Sequence, residues 1–266
     1  MELLFLGTGA ADWPYLPAED AAADQDNRIR RTSSALVDGK ILIDPAPASF
    51  QFASLLGVDL TKITDVLLTH SHSDHFDSDA LAAFAQAAAR PLRFWFHTGA
   101  RREKLSLPRA LVMQLELHPV ETMQEFSFDG YTVVALPGNH LYGAYLPEVA
   151  LHYLVRRDGK SLYYALDGGW FTAVEWEYLL HKELDCVVLD ATCGDYNGDF
   201  RLGTHNSIPM LRLMQPSLYQ NGALREGGRI VLSHLARTLH EPNDEVAAKL
   251  SEEGFLVAQD GWRLTI

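Results

Sequence analysis

The chain has 266 residues, 47% of them hydrophobic, with 35 acidic against 22 basic side chains and a formal net charge of −13. That size and apolar content can bury a sizeable core, in one large domain or two small ones. The negative balance repels a nucleic-acid backbone unless basic residues gather in one place, and the one short basic run is Arg28, Arg30 and Arg31, read here as a solvated charge run in preference to a phosphate contact, so large RNA or DNA is not the expected partner.

From the N-terminus, MELLFLGTG reads as a strand running into Gly7-Thr8-Gly9. It lacks the positive charge and apolar length of a signal peptide. No later stretch reaches the length of a membrane span, and Cys186 and Cys193 form neither a C-x-x-C pair nor a disulfide framework. A cytoplasmic protein without a membrane segment is expected. Residues 13–31, acidic and Ala-rich with two prolines, read as an irregular surface excursion.

Four Asp-Gly pairs follow, each between strand-like runs: SSALV and ILID around Asp38-Gly39, EFSF and YTVVAL around Asp129-Gly130, ALHYLV and SLYYAL around Asp158-Gly159, FLVA and WRLTI around Asp260-Gly261. Each predicts a hairpin, because tight hairpin turns require positive φ. Helical periodicity marks FQFASLLG, DALAAFAQAAA, TAVEWEYLLHK, SIPMLRLM and NDEVAAKLSEE, while DVLLT, CVVLD and RIVLS are apolar runs suited to central strands. Hairpins mixed with strand–helix units predict an α/β protein of two mixed sheets flanked by helices. With no linker or composition break, residues 1–266 are expected to form a single domain.

The stretch LLTHSHSDHF crowds His70, His72, Asp74 and His75 into six positions directly after a strand. A polar loop or helix cap would need one Asp or Ser, not three imidazoles. Residues i and i+2 at a strand end point the same way, so His70 and His72 can share one ion. The chain then turns, and Asp74 and His75 can reach a second. Imidazole and carboxylate suit zinc, with manganese or iron as alternatives. Three further candidates each terminate an apolar run: His140 in TVVALPGNH, Asp167 in SLYYALDGG and His234 in RIVLSHL. An isolated histidine after a strand is usually a loop residue, and Asp167 before two glycines also fits an Asx turn. Four strand ends at one sheet rim make the metal reading the stronger one.

These motifs, in this order, resemble the metallo-β-lactamase superfamily over essentially the whole chain. The N-terminal strand with its GTG turn, ILID, THSHSDHF, His140, Asp167 and His234 carry the likeness. It implies a four-layer αβ/βα sandwich and two divalent metal ions. His70, His72 and His140 would hold one ion and Asp74, His75 and His234 the other, with Asp167 and a hydroxide bridging them. Asp74 would also orient that hydroxide. Asp44, in the unusual run Asp44-Pro45-Ala46-Pro47, is expected to support a ligand rather than to be one.

His205, in FRLGTHNSI, is either a surface residue ahead of a helix or an acid/base histidine that binds no metal. The second role is implied by the branch the chain most resembles, that of tRNA 3′-processing endonucleases and the phosphonate-pathway cyclic-ribose phosphodiesterase. Two departures separate it from those enzymes. No long Gly/Pro-bearing arm fits between Asp167 and Asp190, and no cysteine-rich zinc loop follows the GTG turn. The insert LYGAYLPEV after His140 is a third difference. His97, His118, His152, His181 and His240 are expected to be structural or exposed, with His240 a candidate to line the pocket, and both cysteines to be core or rim residues. The function expected is a binuclear metal-dependent hydrolase, a phosphodiesterase acting on a small substrate. The alternatives are a lactonase or other carboxylic ester hydrolase, and a non-catalytic metal-binding accessory or carrier protein. The family also suggests a homodimer.

Overall fold

The computed structural model describes residues 1–14, 29–100, 105, 107–140, 148–196, 198–241 and 243–266. Most of the expected excursion at 13–31, Arg28 included, and residues 141–147 of the insert after His140 lie outside the described residues. The chain forms two compact units, each with its own sheet. One comprises Met1–Glu121, Tyr142–Glu148 and Gln259–Thr265, the other Thr122–Leu141, Val149–Ala258 and Ile266.

In the first unit β1 (Glu2–Gly7), β2 (Ser34–Val37), β3 (Ile41–Ile43), β4 (Asp65–Leu67), β5 (Leu92–His97) and β6 (Leu115–Val120) lie side by side in that order, and the C-terminal strand Arg263–Thr265 pairs with the free side of β1. Pairing is antiparallel from the C-terminal strand to β3 and parallel from β3 to β6. Alternate residues Leu4, Leu6, Leu36, Leu42, Val66, Phe94 and Phe96 pack with Phe52 from α1 (Ser49–Leu55) and with Leu81 and Phe84 from α2 (Ser78–Ala87). Each such apolar side chain withdrawn from water contributes about 1.5–3 kcal/mol. The Asp77 carboxylate caps α2 by accepting from the amides of Asp79 and Ala80. Buried Asp65 locks β4 beside β5, accepting from Trp95 Nε1 at 2.9 Å and from Arg93 Nη2 at 2.7 Å.

The second unit repeats the plan. β7 (Glu125–Phe128), β8 (Tyr131–Pro137), β9 (Leu151–Arg157) and β10 (Lys160–Ala165) are joined antiparallel; β10, β11 (Leu184–Asp190), β12 (Leu224–Ser233) and β13 (Phe255–Val257) are joined parallel. Its core gathers Leu136, Leu154, Val187, Leu189, Ile230 and Leu232 with Leu179 of α4 (Ala173–Leu179), Leu211, Met214 and Leu218 of α5 (Ile208–Gln220) and Leu250 of α6 (Asn243–Glu252); α3 (Arg109–Val112) is a single turn in the first unit.

Three of the four Asp-Gly pairs make the expected hairpins, with positive φ at both residues (50° and 66°, 46° and 83°, 51° and 71°), as a type I′ turn demands. The fourth does not. β13 and the C-terminal strand belong to different sheets, and the Asp260 carboxylate in the connection accepts from Thr8 Oγ1 and the Arg31 amide at 2.7 Å each. Strands β5 and β6 have no counterpart in the sequence reading. LRFWFH carries no turn signal, and LELHPV contains a proline that the edge of a sheet tolerates. Helix α5 also runs on through Pro216 to Gln220. There the burial of Met214 and Leu218 offsets the hydrogen bond that proline cannot donate.

Arg30 and Arg31 correct the reading of a solvated charge run: they are 2% and 8% exposed. Arg30 Nη1 donates to Thr8 Oγ1 at 2.6 Å, while Arg31 Nη1 reaches Asp260 Oδ2 at 3.1 Å and its guanidinium lies 3.8 Å over the Phe52 ring. Burial holds Arg30 down to about 10, against the pull of Asp260. Both arginines border a cavity of about 150 Å³ that Trp13, Ser73 and Asp74 also line.

Candidate metal centre

In the first unit β3 and β4 are parallel neighbours with Ile43 opposite Leu67, so the residues that follow them emerge at one rim. Asp44 leaves β3 with φ +59° and is fully buried. Its Oδ1 accepts from the Thr69 amide at 2.7 Å and its Oδ2 from Thr69 Oγ1 at 2.8 Å, and Oδ2 lies 2.7 Å from His75 Nδ1. Burial pushes the Asp44 carboxyl up, opposed by the charge and hydrogen bond of His75 and by the two bonds from Thr69. The contact turns His75 Nε2 outward, the arrangement that carboxylates impose on metal-binding imidazoles.

Strand β4 ends at Leu67, so His70 and His72 sit in the loop beyond it and not on the strand. They still converge, His70 Nε2 to His72 Nδ1 being 2.7 Å. The loop closes where the amides of His75 and Phe76 donate to the His72 carbonyl at 3.0 and 2.8 Å. Asp74 Oδ2 lies 3.7 Å from His75 Nε2. Between the first two histidines, Ser71 donates its amide at 2.9 Å and its hydroxyl to the buried Glu148 carboxylate, the last residue but one of the LYGAYLPEV insert.

In the second unit β10, β11 and β12 run parallel with Ala165 opposite Leu189 and Asp190 opposite Ser233. Asp167, Asp190 and His234 therefore sit at one rim, Asp167 and His234 with φ of +53° and +59°. His234 Nε2 is 3.0 Å from Asp167 Oδ1, and His140 Nε2 is 3.6 Å from Asp167 Oδ2. His205 joins them, its Nδ1 2.8 Å from Asp190 Oδ2 and 3.4 Å from Asp167 Oδ1. Donor atoms of Asp167, Asp190, His205 and His234 lie within 4.8 Å of one another. Thr192 Oγ1 bonds His234 Nδ1 at 2.7 Å and Asp190 Oδ2 at 3.0 Å. Burial alone would lower His205, but the charge and hydrogen bond of Asp190, with Asp167 beyond, raise it above the ordinary imidazole value. The same pairing overcomes burial to lower Asp190.

All seven expected ligand residues thus stand at sheet rims, four in the first unit and three in the second. Each set offers imidazole nitrogens and carboxylate oxygens, buried except at the half-buried His72 and His140, the donor chemistry of borderline divalent ions. Sequence reasoning missed Asp190, Thr192 and Glu148. CVVLD offered the one available signal, an acid closing an apolar run just as Asp44 closes ILID. Cys186 and Cys193 are buried core residues whose thiols burial pushes up to about 12. His240 is occupied by the Ala191 carbonyl, 2.6 Å from Nε2.

The family model described as β-lactamase superfamily domain matches residues 40–219, more than half of the chain. The chain belongs to the metallo-β-lactamase superfamily. Its two mixed seven-stranded sheets flanked by helices are the superfamily's fold. The probable L-ascorbate-6-phosphate lactonase UlaG of Escherichia coli is 27% identical over 125 residues, 41% of this chain and 34% of the relative. The match therefore spans about a third of that curated relative's length. A diphosphatase of the PhnP family superposes with a TM-score of 0.74 at 20% identity, over 100% of this chain and 97% of the other. Human tRNase Z, short form, gives 0.69 at 17% identity, over 100% and 99%. Among the described residues no helix is long and apolar enough to cross a membrane.

Proposed function

We propose that this superfamily member is a binuclear metal-dependent phosphodiesterase acting on a small, cyclic or nucleotide-like phosphate ester. In this reading His70, His72 and His140 hold one divalent ion and Asp74, His75 and His234 a second, Asp167 is shared, and zinc is the favoured metal ahead of manganese or iron. Such ions, when bound, activate a water molecule and neutralise charge on the ester. Asp44, holding Nδ1, keeps His75 in the tautomer whose Nε2 is the ligating nitrogen. Asp74 accepts a proton from the attacking water.

The observation that carries the reading is the pair of His205 and Asp190. With Nδ1 tied to a buried carboxylate at 2.8 Å, His205 is left with Nε2 as the nitrogen that meets substrate. A proton there serves an alkoxide leaving group, the general-acid role a phosphodiester requires. The charge of −13 favours a small substrate over a large nucleic acid.

A second reading, a lactonase, draws on the partial likeness to UlaG, since lactone opening also expels an alkoxide. Elemental analysis of the purified protein, followed by assay against bis-p-nitrophenyl phosphate, a simple lactone and a β-lactam, separates the readings. Two metals per chain with phosphodiester turnover are expected. Lactone turnover alone promotes the second reading. One metal with no turnover points to an accessory or carrier protein.

A further inference from the structure

Two of the proposed ligands stand on loops that share one buried spacer. β8 ends at Pro137 and leads through Gly138 and Asn139 to His140; β10 ends at Ala165 and leads through Leu166 to Asp167 and Gly168. Between β8 and β10 lies β9, whose second residue is His152, 1% exposed. One edge of its ring is wedged between the two glycines. A Cβ on Gly138 would stand 2.6 Å from Nε2, and a Cβ on Gly168 would stand 2.5 Å from Cε1. Packed carbon does not approach so closely, so both loops close on the imidazole because neither carries a side chain there.

The opposite edge is held as firmly. His152 Nδ1 lies 2.6 Å from Oε1 of the buried Glu175, which also accepts from Tyr163 Oη at 2.7 Å. Glu175 Oε2 accepts from the Thr172 amide at 2.7 Å, and Thr172 Oγ1 from the Glu175 amide, closing a capping box at the start of α4. The two loops are also stitched directly, by Gly169 N to Asn139 O at 3.1 Å. His152 Nε2 has no hydrogen-bond partner among the described residues. Burying a carboxylate, a phenol and an imidazole to fill space is costly where an apolar side chain of similar volume serves better. What this network provides and a leucine cannot is an aimed, rigid ring.

We propose that His152 is a positioning residue: oriented by Glu175 and Tyr163, its imidazole sets the spacing between the loop of His140 and the loop of Asp167, and thereby the affinity of the site for its metal. The inference rests on the reading that His140 and Asp167 are ligands. It is tested by titrating zinc, against a competing chelator, into metal-free wild type and the variants His152→Ala, His152→Gln, Glu175→Gln and His140→Ala, with thermal unfolding of each metal-free protein. His152→Ala is expected to stay folded and bind zinc about 10–100-fold more weakly, with His152→Gln between it and wild type. Adding Gly138→Ala is expected to weaken zinc binding further in the wild type but not in His152→Ala, where the ring it strikes is gone. Wild-type zinc affinity in a folded His152→Ala overturns the positioning role. Should His152→Ala not fold, Glu175→Gln decides by the same criterion. Wild-type zinc affinity in His140→Ala overturns the ligand reading itself, a failure distinct from the first.

Discussion

At the scale of single residues, the histidines matter less than the groups that aim them. Asp44 leaves Thr69 and His75 without their acceptor if it is truncated, and each unsatisfied buried polar group costs about 1–3 kcal/mol. Asp44→Ala is therefore expected to lower the melting temperature and to weaken metal retention about 10–100-fold, read by elemental analysis after dialysis. Retention equal to wild type would remove Asp44 from its supporting role. His205→Ala should behave differently, cutting turnover by about 10²–10⁴-fold at unchanged metal content, whereas His70→Ala should lose metal. Equal metal loss in both variants would place His205 among the ligands. His70, His72, Asp74 and His75 are legible in the sequence because six contiguous positions hold them all. Asp190 is not, because its partner His205 lies 15 residues away across a segment whose local pattern says nothing of where it returns.

At the scale of elements, parallel neighbours do the positioning: ends of adjacent strands share a rim, so a polar residue closing each apolar run arrives at one place. Turn chemistry was equally legible in three hairpins, where the runs flanking Asp-Gly pair with each other, and misled in the fourth, where the flanking strands belong to different sheets. Between helices α5 and α6, Asp195 joins Arg212 at 2.8 Å to Lys249 at 2.9 Å, and hydrogen bonds from the two cations, Arg212 first, hold its carboxyl down to about 2 from 3.8. A carboxyl lowered on folding stabilises the native state above the unfolded value and loses that contribution as pH falls through the folded one. Asp195→Asn should therefore unfold at a lower temperature than wild type at pH 6, by a modest margin since the site is a third exposed. The gap should close between about pH 4 and pH 2. A gap independent of pH would show that the ion pairs contribute nothing.

At the scale of the whole molecule, each unit has its own sheet and its own apolar core, and no proposed ligand belongs to either core. Metal should thus add stability without being required for folding. A ligand present at a thousand times its dissociation constant contributes roughly 4 kcal/mol, and about 2–4 °C accompanies each kcal/mol in a chain of this size. Chelation is expected to lower the melting temperature by that order while the far-UV circular dichroism at 25 °C stays the same. Unfolding at 25 °C on chelation would show that the metal is part of the fold.

By itself the sequence determined the donor chemistry, the two-sheet architecture and the three tight hairpins. Each is encoded by residues within a few positions of one another, through strand periodicity, positive-φ turns and the clustering of imidazoles. Only the tertiary structure decided that Asp44 grips His75 from 31 residues away and that Asp190 holds His205. It likewise decided that Arg30 and Arg31 are buried on Asp260 and Thr8, and that His152 stands between Gly138 and Gly168. Those contacts depend on which strands become neighbours and in what register, and a buried polar group is defined by what surrounds it, which no local pattern records.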